Sequence, residues 1–350
     1  MPRLIPDSYC LIPTSYYQTI KPMTNFVLGI DGGQTSTQCA LATSNGNILG
    51  LGTGGGLIHF AAEGSHAIYI AALREAMNNA WAAAQLTPQP VEAVALGLTG
   101  VEAGTPEATT ALALLPQVLE FGRVDVQGDA VSALNGAHLG KPGVIIIAGT
   151  GSTSLGSGVD GKMARVGGWG WLTGDEGSAS VIGRSAVIAA FHSLDHWGPK
   201  TSLEALLMQH FGETRTYDVK RHVYASNFGA RGFASLAPIV AQAARQGDAV
   251  AGQLIKQAGQ DLAHTVLTLV RQVHFGDQTI PVAPVGGVFT HITGVRQAFE
   301  QILQQQAPQI RVVDPALPPV LGAVIMALKL CPNPLETVVA QLRASIQKNS

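Results

Sequence analysis

The stretch GVIIIAGTGSTSLGSG, residues 143–158, indicates the fold most directly. It has the pattern of a buried apolar strand, a turn of small and hydroxyl-bearing residues, and a second strand. The segment NFVLGIDGGQTST, residues 25–37, has the same order of features. Two such strand-turn-strand segments in one chain predict two halves, each with a glycine-rich hairpin.

Strand and helix patterns alternate along the rest of the chain. Further short apolar runs predict strands at 47–52, 93–98, 124–128, 279–287 and 310–315. Helical periodicity predicts helices at 64–85, 106–119, 130–140, 176–193, 202–211, 233–246, 248–274, 292–305, 320–330 and 335–347. The alternation lacks βαβ regularity, so the predicted fold class is α/β with mixed sheets.

Composition predicts a globular protein of two domains. The chain has 350 residues, of which 46% are hydrophobic and 13% charged, enough for a sizeable core. The net charge of −2, without a basic tract, argues against a nucleic-acid partner. No apolar run reaches the length of a membrane span, so no membrane association is expected. Residues 1–24, broken by prolines, predict a poorly ordered extension rather than a signal peptide, and a cytoplasmic protein is expected.

Several common motifs are absent from the sequence. There is no P-loop and no GxGxxG after a strand, so a nucleotide would have to be bound in another way. The three cysteines, Cys10, Cys39 and Cys331, are too far apart for a disulfide framework or a Cys-x-x-Cys site. The histidines have no metal-ligand spacing.

The two hairpin turns are candidate phosphate-binding loops. Successive glycines let backbone N–H groups converge on an anion, and threonine adds a hydroxyl. Asp31, at the end of the first strand, could hold Mg²⁺ through water. Ordinary hairpins whose glycines adopt positive φ are the alternative for both turns.

Asp129 lies between the predicted strand at 124–128 and the helix that follows. A carboxylate at this position could act as a general base. The alternative is a plain helix N-cap.

The segment GGWGWLTGDEGSAS, residues 167–180, combines tryptophans, glycines and two carboxylates. A flat aromatic face with a hydrogen-bonding carboxylate suits a pyranose, which is apolar on one face and ringed by hydroxyl donors. Glu176 is predicted to begin or support the next helix. A structural loop anchored by its tryptophans is the alternative.

Six segments together resemble the N-acetylglucosamine kinase branch of the BadF/BadG/BcrA/BcrD ATPase group, within the sugar kinase/Hsp70/actin superfamily. They are GIDGGQTST, VQGDAVSALNGA, GVIIIAGTGSTSLGSG, GGWGWLTGDEGSAS, ARQGDAVAGQLIKQAG and PVGGVF. The resemblance covers nearly the whole chain. It implies a two-domain, actin-like/ribonuclease H-like ATPase fold with mixed sheets and a central cleft. It also implies ATP and Mg²⁺ as cofactors, a small sugar as substrate, and a homodimer.

The resemblance implies a role for each matching residue. Asp129 would be catalytic, and Asp31 would also hold Mg²⁺ through water. The nucleotide and phosphate contacts would be Asp31, Gly32, Gly33, Thr35, Gly149, Thr150, Gly151, Gly247, Gly286 and Gly287. The sugar contacts would be Ser152, Thr153, Gly168, Trp169, Gly170 and Asp175.

These positions lead to the following expected domain bounds. An N-terminal domain would span 25–128, a C-terminal domain 129–330, and a last helix within 331–350 would pack back on the N-terminal domain.

The reaction implied is ATP-dependent phosphorylation of an amino sugar, N-acetylglucosamine or a related hexosamine, at the C6 hydroxyl. A sugar- or ligand-responsive ATPase or regulatory protein of the same fold is the alternative. The family often has a sugar-contacting asparagine after the first hairpin, but residues 54–64, GGGLIHFAAEG, contain none. The preferred amino sugar therefore stays open. Iron–sulfur relatives need cysteines between the halves, and Cys39 and Cys331 do not fit that role.

Overall fold

The computed structural model describes residues 25–349. The predicted N-terminal extension, residues 1–24, lies outside the described residues. The strands are β1 Phe26–Gly32, β2 Ser36–Thr43, β3 Ile48–Gly55, β4 Val91–Leu98, β5 Phe121–Gly128, β6 Gly143–Ala148, β7 Ser152–Ser157, β8 Met163–Gly167, β9 Ile280–Val285 and β10 Ile310–Val312.

Helices follow most strands. They are α1 Ser65–Ala83, α2 Pro106–Leu114, α3 Asp129–His138, α4 Ala179–Leu194, α5 Leu203–Phe211, α6 Val219–Val223, α7 Gly229–Ala234, α8 Ala237–Arg245, α9 Ala249–Val270, α10 Gly287–His291, α11 Val295–Gln306, α12 Pro319–Lys329 and α13 Leu335–Asn349. Within residues 25–349, no helix has the length and apolarity needed to cross a membrane.

The predicted elements agree with these in most places, and three differences have local causes. The helix predicted from 176 begins at Ala179, because Ser178 caps it by accepting the N–H of Val181. Glu176 therefore does not begin this helix. The helix predicted at 233–246 is two helices, α7 and α8, and Pro238 lies in the first turn of α8. Strand β8 was not predicted; it is five residues long and pairs with β7.

The described chain forms two compact units. The first unit contains 25–141 and 315–349, and the second contains 142–314. The predicted division at 128/129 and 330/331 differs from this one. Helix α12 belongs with the first unit because its Val324 shares a core with Val27 of β1. Helix α3 packs closely on α12, since a Cβ placed on Gly136 would lie 2.8 Å from the carbonyl oxygen of Pro318.

Each unit contains one five-stranded mixed sheet, and the two sheets have the same strand order. The first is β3-β2-β1-β4-β5 and the second is β8-β7-β6-β9-β10. In each, three strands are antiparallel neighbours and two more add in parallel. The predicted α/β class with mixed sheets is confirmed.

The central strand β1 is buried on both faces in the first unit. Leu28 and Ile30 belong to the core under α1, while Val27 belongs to the core under α12. This division follows from the alternation of side chains along a strand. Because apolar residues cover both faces of β1, its interior side chains are apolar, and its one carboxylate, Asp31, lies near the end of the strand.

Helix α9 is the longest helix of the second unit, at 22 residues. Its buried residues, among them Ile255, Leu262 and Val266, join the core formed with β6, α4, α8 and α11. This core holds α4 in place, and the first turn of α4 meets the β6–β7 hairpin.

Gly322 gives a test of the contact between α3 and α12. A Cβ on Gly322 would collide with the carbonyl oxygen of Ser132, so Gly322→Ala should lower the free energy of unfolding by about 3 kcal/mol. Gly252, also within a helix, has no atom within 4 Å of its Cβ position. Gly252→Ala should therefore be neutral or stabilise by about 1 kcal/mol. Denaturant unfolding of both variants measures the difference, and equal stabilities would refute this account of the contact.

Candidate active site

Polar side chains converge at one edge of the first unit's sheet. Asp31 lies at the end of β1, Thr99 directly follows β4, and Asp129 directly follows β5. These strands are parallel, so their carboxyl ends meet at the same edge. The N–H of Thr99 donates to the carbonyl oxygen of Gly32 at 2.8 Å, which fixes the turn after β4 against β1.

Ser132 connects the two acidic residues. Its Oγ lies 2.7 Å from Oδ1 of Asp31 and 2.8 Å from the carbonyl oxygen of Asp129. The single hydroxyl proton therefore serves two acceptors. A Cβ on Gly97 of β4 would collide with this hydroxyl, so the glycine makes room for it. Sequence reasoning did not single out Ser132 or Thr99. The position of Ser132 three residues after Asp129, on the same face of the helix, was the available signal for it.

Both carboxylates of this network have raised pKa values. Burial raises the pKa of Asp31 to about 6, the hydrogen bond from Ser132 opposes the shift, and the charge of Asp129 adds to it. Burial also raises the pKa of Asp129, against hydrogen bonds from the N–H of Ala130, the hydroxyl of Thr99 and its own N–H. The two ionised groups repel each other, and a bound cation would relieve that repulsion.

Asp129 is not the N-cap of α3, so the alternative that it is a plain helix N-cap is wrong. Gly128 occupies the N-cap position without a side-chain cap, and Asp129 is the first residue of α3. Its carboxylate instead interacts with Thr99 and with the first N–H groups of the helix. The helix N-terminus favours negative charge there.

The first predicted phosphate loop is a tight hairpin turn. The N–H of Gly33 donates to the carbonyl oxygen of Ser36 at 3.0 Å, and the carbonyl oxygen of Gly33 accepts the N–H of Leu57 at 2.9 Å. These bonds occupy Gly33, whereas Thr35 at the tip is exposed. Beside this loop, Nδ1 of His59 accepts the N–H of Ala61 at 3.2 Å.

The second predicted phosphate loop lies between β6 and β7 in the other unit. The N–H of Gly149 donates to the carbonyl oxygen of Gly151 at 2.9 Å, and the carbonyl oxygen of Gly149 accepts the N–H of Ala179 at 2.9 Å. Thr150 is exposed at the tip. A Cβ on Gly286 would collide with the carbonyl oxygen of Ala148, so the end of β9 lies directly beside this loop.

Gly286 and Gly287 therefore share a sheet edge with Gly149, Thr150 and Gly151. Gly247 belongs to a different local structure, the turn between α8 and α9. Its φ of 91° ends α8, and Asp248 caps α9 by accepting the N–H of Ala251 at 2.9 Å. Helix termination accounts for this glycine.

Asp175 joins the second phosphate loop to the tryptophan segment. Its Oδ1 accepts the N–H of Gly170 at 3.3 Å, and its carboxylate also accepts the N–H of Ser152. A Cβ on Gly151 would lie 2.6 Å from Oδ2. Asp175 as a whole is only 7% exposed. Burial raises the pKa of Asp175, the two N–H groups oppose this, and the charge of Glu176 adds to it.

Asp175 also has an unusual backbone conformation, with φ of 61°. Aspartate tolerates this left-handed region better than most non-glycine residues, but the conformation still carries strain. Strained residues that are held by their surroundings are typical of functional sites.

The two tryptophans of this segment have different environments. Trp171 packs against Phe233 with ring centroids 5.7 Å apart, and so anchors the segment to the core. Trp169 is 64% exposed, with the guanidinium carbon of Arg165 5.5 Å from its ring centroid. One ring is therefore structural, while the other leaves aromatic surface available to a ligand.

Ser152 and Thr153 are adjacent in β7, so their side chains point to opposite faces of the sheet. The hydroxyl of Ser152 donates to the carbonyl oxygen of Glu176 at 2.8 Å. Oγ1 of Thr153 is buried without a hydrogen-bond partner in the described structure. Gly168 packs on it, since a Cβ there would lie 3.0 Å from that oxygen. Only one of the two side chains can reach a ligand on a given face.

Within residues 25–349, no group of three or more His, Cys, Asp or Glu side chains could hold a metal ion. Magnesium sites, however, commonly use one or two carboxylates, with phosphate and water oxygens completing the shell. Asp31 and Asp129, two mutually repelling carboxylates, fit that chemistry. A dedicated protein cage is not needed.

The raised pKa of Asp31 makes a prediction about stability and pH. The folded state favours the protonated acid, so its contribution is full below the unfolded value of 3.8 and is lost as pH rises through about 6. Asparagine cannot ionise. Asp31→Asn should therefore raise the free energy of unfolding at pH 8 by up to about 3 kcal/mol and change it little at pH 4.

Urea unfolding at the two pH values measures this effect, with the exposed Glu120→Gln as the control for loss of one negative charge. A change in stability for Asp31→Asn that is the same at pH 4 and pH 8 would contradict the assignment.

The chain is similar over most of its length to proteins named as kinases of amino sugars. It is 28% identical to the N-acetylmuramic acid/N-acetylglucosamine kinase of Clostridium acetobutylicum over 306 residues, covering 87% of this chain and 99% of that protein. It is 26% identical to the N-acetyl-D-glucosamine kinase of Dictyostelium discoideum over 313 residues, covering 86% and 97%.

A solved structure supports the fold. The protein from Chromobacterium violaceum described as an N-acetylglucosamine kinase candidate superposes with a TM-score of 0.70 at 28% identity, covering 88% of this chain and all of that one. The sequence profile of the BadF/BadG/BcrA/BcrD ATPase family matches residues 28–327, which include both phosphate-loop candidates, Asp129 and the tryptophan segment. The chain belongs to the BadF/BadG/BcrA/BcrD ATPase family.

Proposed function

We propose that this protein transfers the γ-phosphoryl group of ATP to a hydroxyl, at C6, of N-acetylglucosamine or a related hexosamine. The observation that carries the proposal is the network of Asp129, Thr99, Ser132 and Asp31 at one sheet edge. The relatives, named as kinases of N-acetylglucosamine and N-acetylmuramic acid, support the substrate class.

Asp129 is the proposed general base. The attacking hydroxyl oxygen forms a bond to the γ-phosphorus, its proton passes to the Asp129 carboxylate, and the bond to the bridging oxygen breaks to release ADP. A raised pKa makes this carboxylate a better proton acceptor near neutral pH. The hydroxyl of Thr99 holds the carboxylate in one orientation, which keeps the acceptor oxygen available.

Asp31 is the proposed partner of Mg²⁺, through water. Its pKa of about 6 leaves it ionised at neutral pH, as a cation partner requires. When bound, Mg²⁺ supplies neutralisation of phosphate charge. Ser132 keeps one oxygen of Asp31 occupied and turned toward α3.

Threonine hydroxyls carry more of the proposed phosphate binding than the glycine amides do. The N–H groups of Gly33 and Gly149 are already bonded within their own turns. Thr35 and Thr150 are exposed at the loop tips, and their hydroxyls are available to a phosphate oxygen. Gly286 and Gly287 are proposed to let the nucleotide approach the backbone beside the second loop.

The sugar is proposed to contact the exposed face of Trp169 and the carboxylate of Asp175. An aromatic face covers the apolar side of a pyranose, and a carboxylate accepts hydrogen bonds from its hydroxyls. Gly168 and Gly170 leave backbone groups accessible beside Trp169, and either Ser152 or Thr153 adds a hydroxyl.

An ATP-consumption assay with mass detection of the product tests the proposal. The panel contains N-acetylglucosamine, glucosamine, N-acetylmannosamine, N-acetylmuramic acid, glucose and no sugar. A phosphorylated amino sugar supports the kinase, and fragmentation locates the phosphate at C6 or elsewhere. ATP loss that is independent of every sugar, with no phosphorylated product, would replace the proposal with a ligand-responsive ATPase.

Asp129→Asn should lower kcat by about 10³-fold, because the amide cannot accept the hydroxyl proton. Sugar binding, measured by calorimetry without ATP, should stay near the wild-type value. Asp160→Asn, which alters an exposed carboxylate in a turn of the second unit, is the control and should keep normal turnover. Turnover by Asp129→Asn at the wild-type rate would remove this residue from the reaction.

Thr99→Val should move the pH profile of kcat/KM. The hydroxyl hydrogen bond lowers the pKa of Asp129, so its loss raises that pKa further. The acidic limb of the profile should shift to higher pH. Thr110→Val, at an exposed threonine of α2, should leave the profile in place. A fall in rate without any shift of the limb would point to a merely structural role for Thr99.

A further inference from the structure

A cavity of about 530 Å³ opens beside the tryptophan segment in the second unit. Its walls come from Trp171 and Leu172, from one side of α4, and from the residues around α6 and α7. This volume lies within the usual range for small-molecule sites. None of the proposed phosphate or sugar contacts lines it, so the proposed reaction does not explain it.

The walls of the cavity are mostly apolar. Val187, Ile188, Phe191, Val223 and Phe233 are among the residues that line it. At the rim, Tyr224 is 78% exposed and Leu172 is 70% exposed. A ligand with an apolar body would cover surface that otherwise faces water.

Among the described residues that line the cavity, Arg184 alone is charged. Its Nη1 donates to the carbonyl oxygen of Trp171 at 3.0 Å. Within residues 25–349, no carboxylate lies within ion-pair distance of its guanidinium. A half-buried cation between apolar walls favours an anionic partner, and a guanidinium with four further N–H donors can form a paired contact with a carboxylate.

The charges around the cavity also favour an anionic ligand. The ammonium of Lys220 lies 5.6 Å from the ring centroid of Tyr224, at the rim. The nearby carboxylates of Glu213 and Asp218 already pair with Arg215, Arg221 and His222. Lys220 therefore adds positive charge beside the rim residue Tyr224, and the described lining holds no acidic group.

We propose that this cavity, called the Arg184 cavity, binds an organic carboxylate with an apolar body. One guanidinium balances one negative charge, which favours a monoanion over inorganic phosphate. The proposal goes beyond the kinase reaction and does not depend on it. Two sources share this chemistry: a free carboxylic acid, or an acidic substituent on a sugar.

Binding there would act on the segment that contains Trp169 and Asp175. The same guanidinium that meets the carboxylate also holds the backbone of Trp171, two residues after Trp169. A ligand carboxylate that binds the Arg184 guanidinium would therefore alter its hydrogen bond to Trp171 and the stability of the tryptophan segment. Trp171 also gives a spectroscopic signal, because its ring is part of the cavity wall.

The test compares 3-phenylpropionate with its uncharged amide, 3-phenylpropanamide, by calorimetry and tryptophan fluorescence on the full chain without ATP. The wild type should bind the acid at least about tenfold more tightly than the amide. Arg184→Gln should lose this preference and Arg184→Lys should retain part of it. Arg245→Gln, which alters an exposed arginine at the end of α8, is the matched control and should behave as wild type.

A second variant guards against a folding defect. Leu172→Asp adds a negative charge at an exposed position on the rim and should weaken binding of the acid while thermal unfolding stays unchanged. Three results with 3-phenylpropionate would count against a free acid as the ligand: binding equal to that of the amide, no binding at millimolar concentration, or wild-type affinity in folded Arg184→Gln. Any of them, together with Arg184-independent binding of N-acetylmuramic acid, would overturn the proposal.

N-acetylmuramic acid distinguishes the two sources. If the ligand is a sugar substituent, N-acetylmuramic acid should bind more tightly than N-acetylglucosamine, and Arg184→Gln should abolish the difference. If the ligand is a free acid, 3-phenylpropionate should bind together with N-acetylmuramic acid without competition. Loss of kinase activity in every assay would leave these binding results intact, so the two proposals fail separately.

Discussion

The desolvated carboxylates at the sheet edge of the first unit are the constraint on which this unit's structure depends. Burying Asp31 and Asp129 near each other disfavours their ionised forms, and the shifted pKa of Asp31 records that penalty. The surrounding residues limit it through hydrogen bonds from Ser132 and Thr99. Room for Ser132 requires glycines at 97 and 322, one in β4 and one in α12. Close backbone packing at these two glycines therefore leaves the space that the Ser132 side chain needs to reach Asp31.

The second unit has the same sheet order, but its buried carboxylate is held in a different way. Its carboxylate, Asp175, is held by the N–H groups of Gly170 and Ser152 rather than by side chains, and its backbone has a φ of 61°. One side chain thereby fixes two loops relative to each other. Trp171 anchors the segment in the core while Trp169 stays exposed. The rigid anchor allows a large aromatic surface to face solvent without loosening the segment.

The repeated strand order explains why functional candidates occur at corresponding places. In each sheet, the hairpin after the central strand is short and glycine-rich, and the neighbouring parallel strands end at the same edge. The units diverge after their antiparallel strands. The first unit adds α1, while the second inserts α4 to α9, and those additional helices create the Arg184 cavity. A common sheet therefore supports different ligand surfaces, because the helices and loops around it differ.

The sequence by itself determined the α/β class, both glycine-rich hairpins, the tryptophan segment and the family, because these depend on local periodicity and on short contiguous motifs. It indicated Asp129 but not its partners: Thr99 reaches the carboxylate through strand pairing, which no local pattern shows, and Ser132 had only its position three residues after Asp129 as a signal. The expected domain bounds also differ from the division into compact units, because α12 joins the first sheet across a separation of nearly the whole chain. Tertiary structure alone decided that the carbonyl oxygens of Gly33 and Gly149 accept the N–H groups of Leu57 and Ala179, and that Arg184 has no counter-ion among residues 25–349 in its cavity. Hydrogen-bond partners and charge neutralisation depend on residues distant in sequence, so packing decides them.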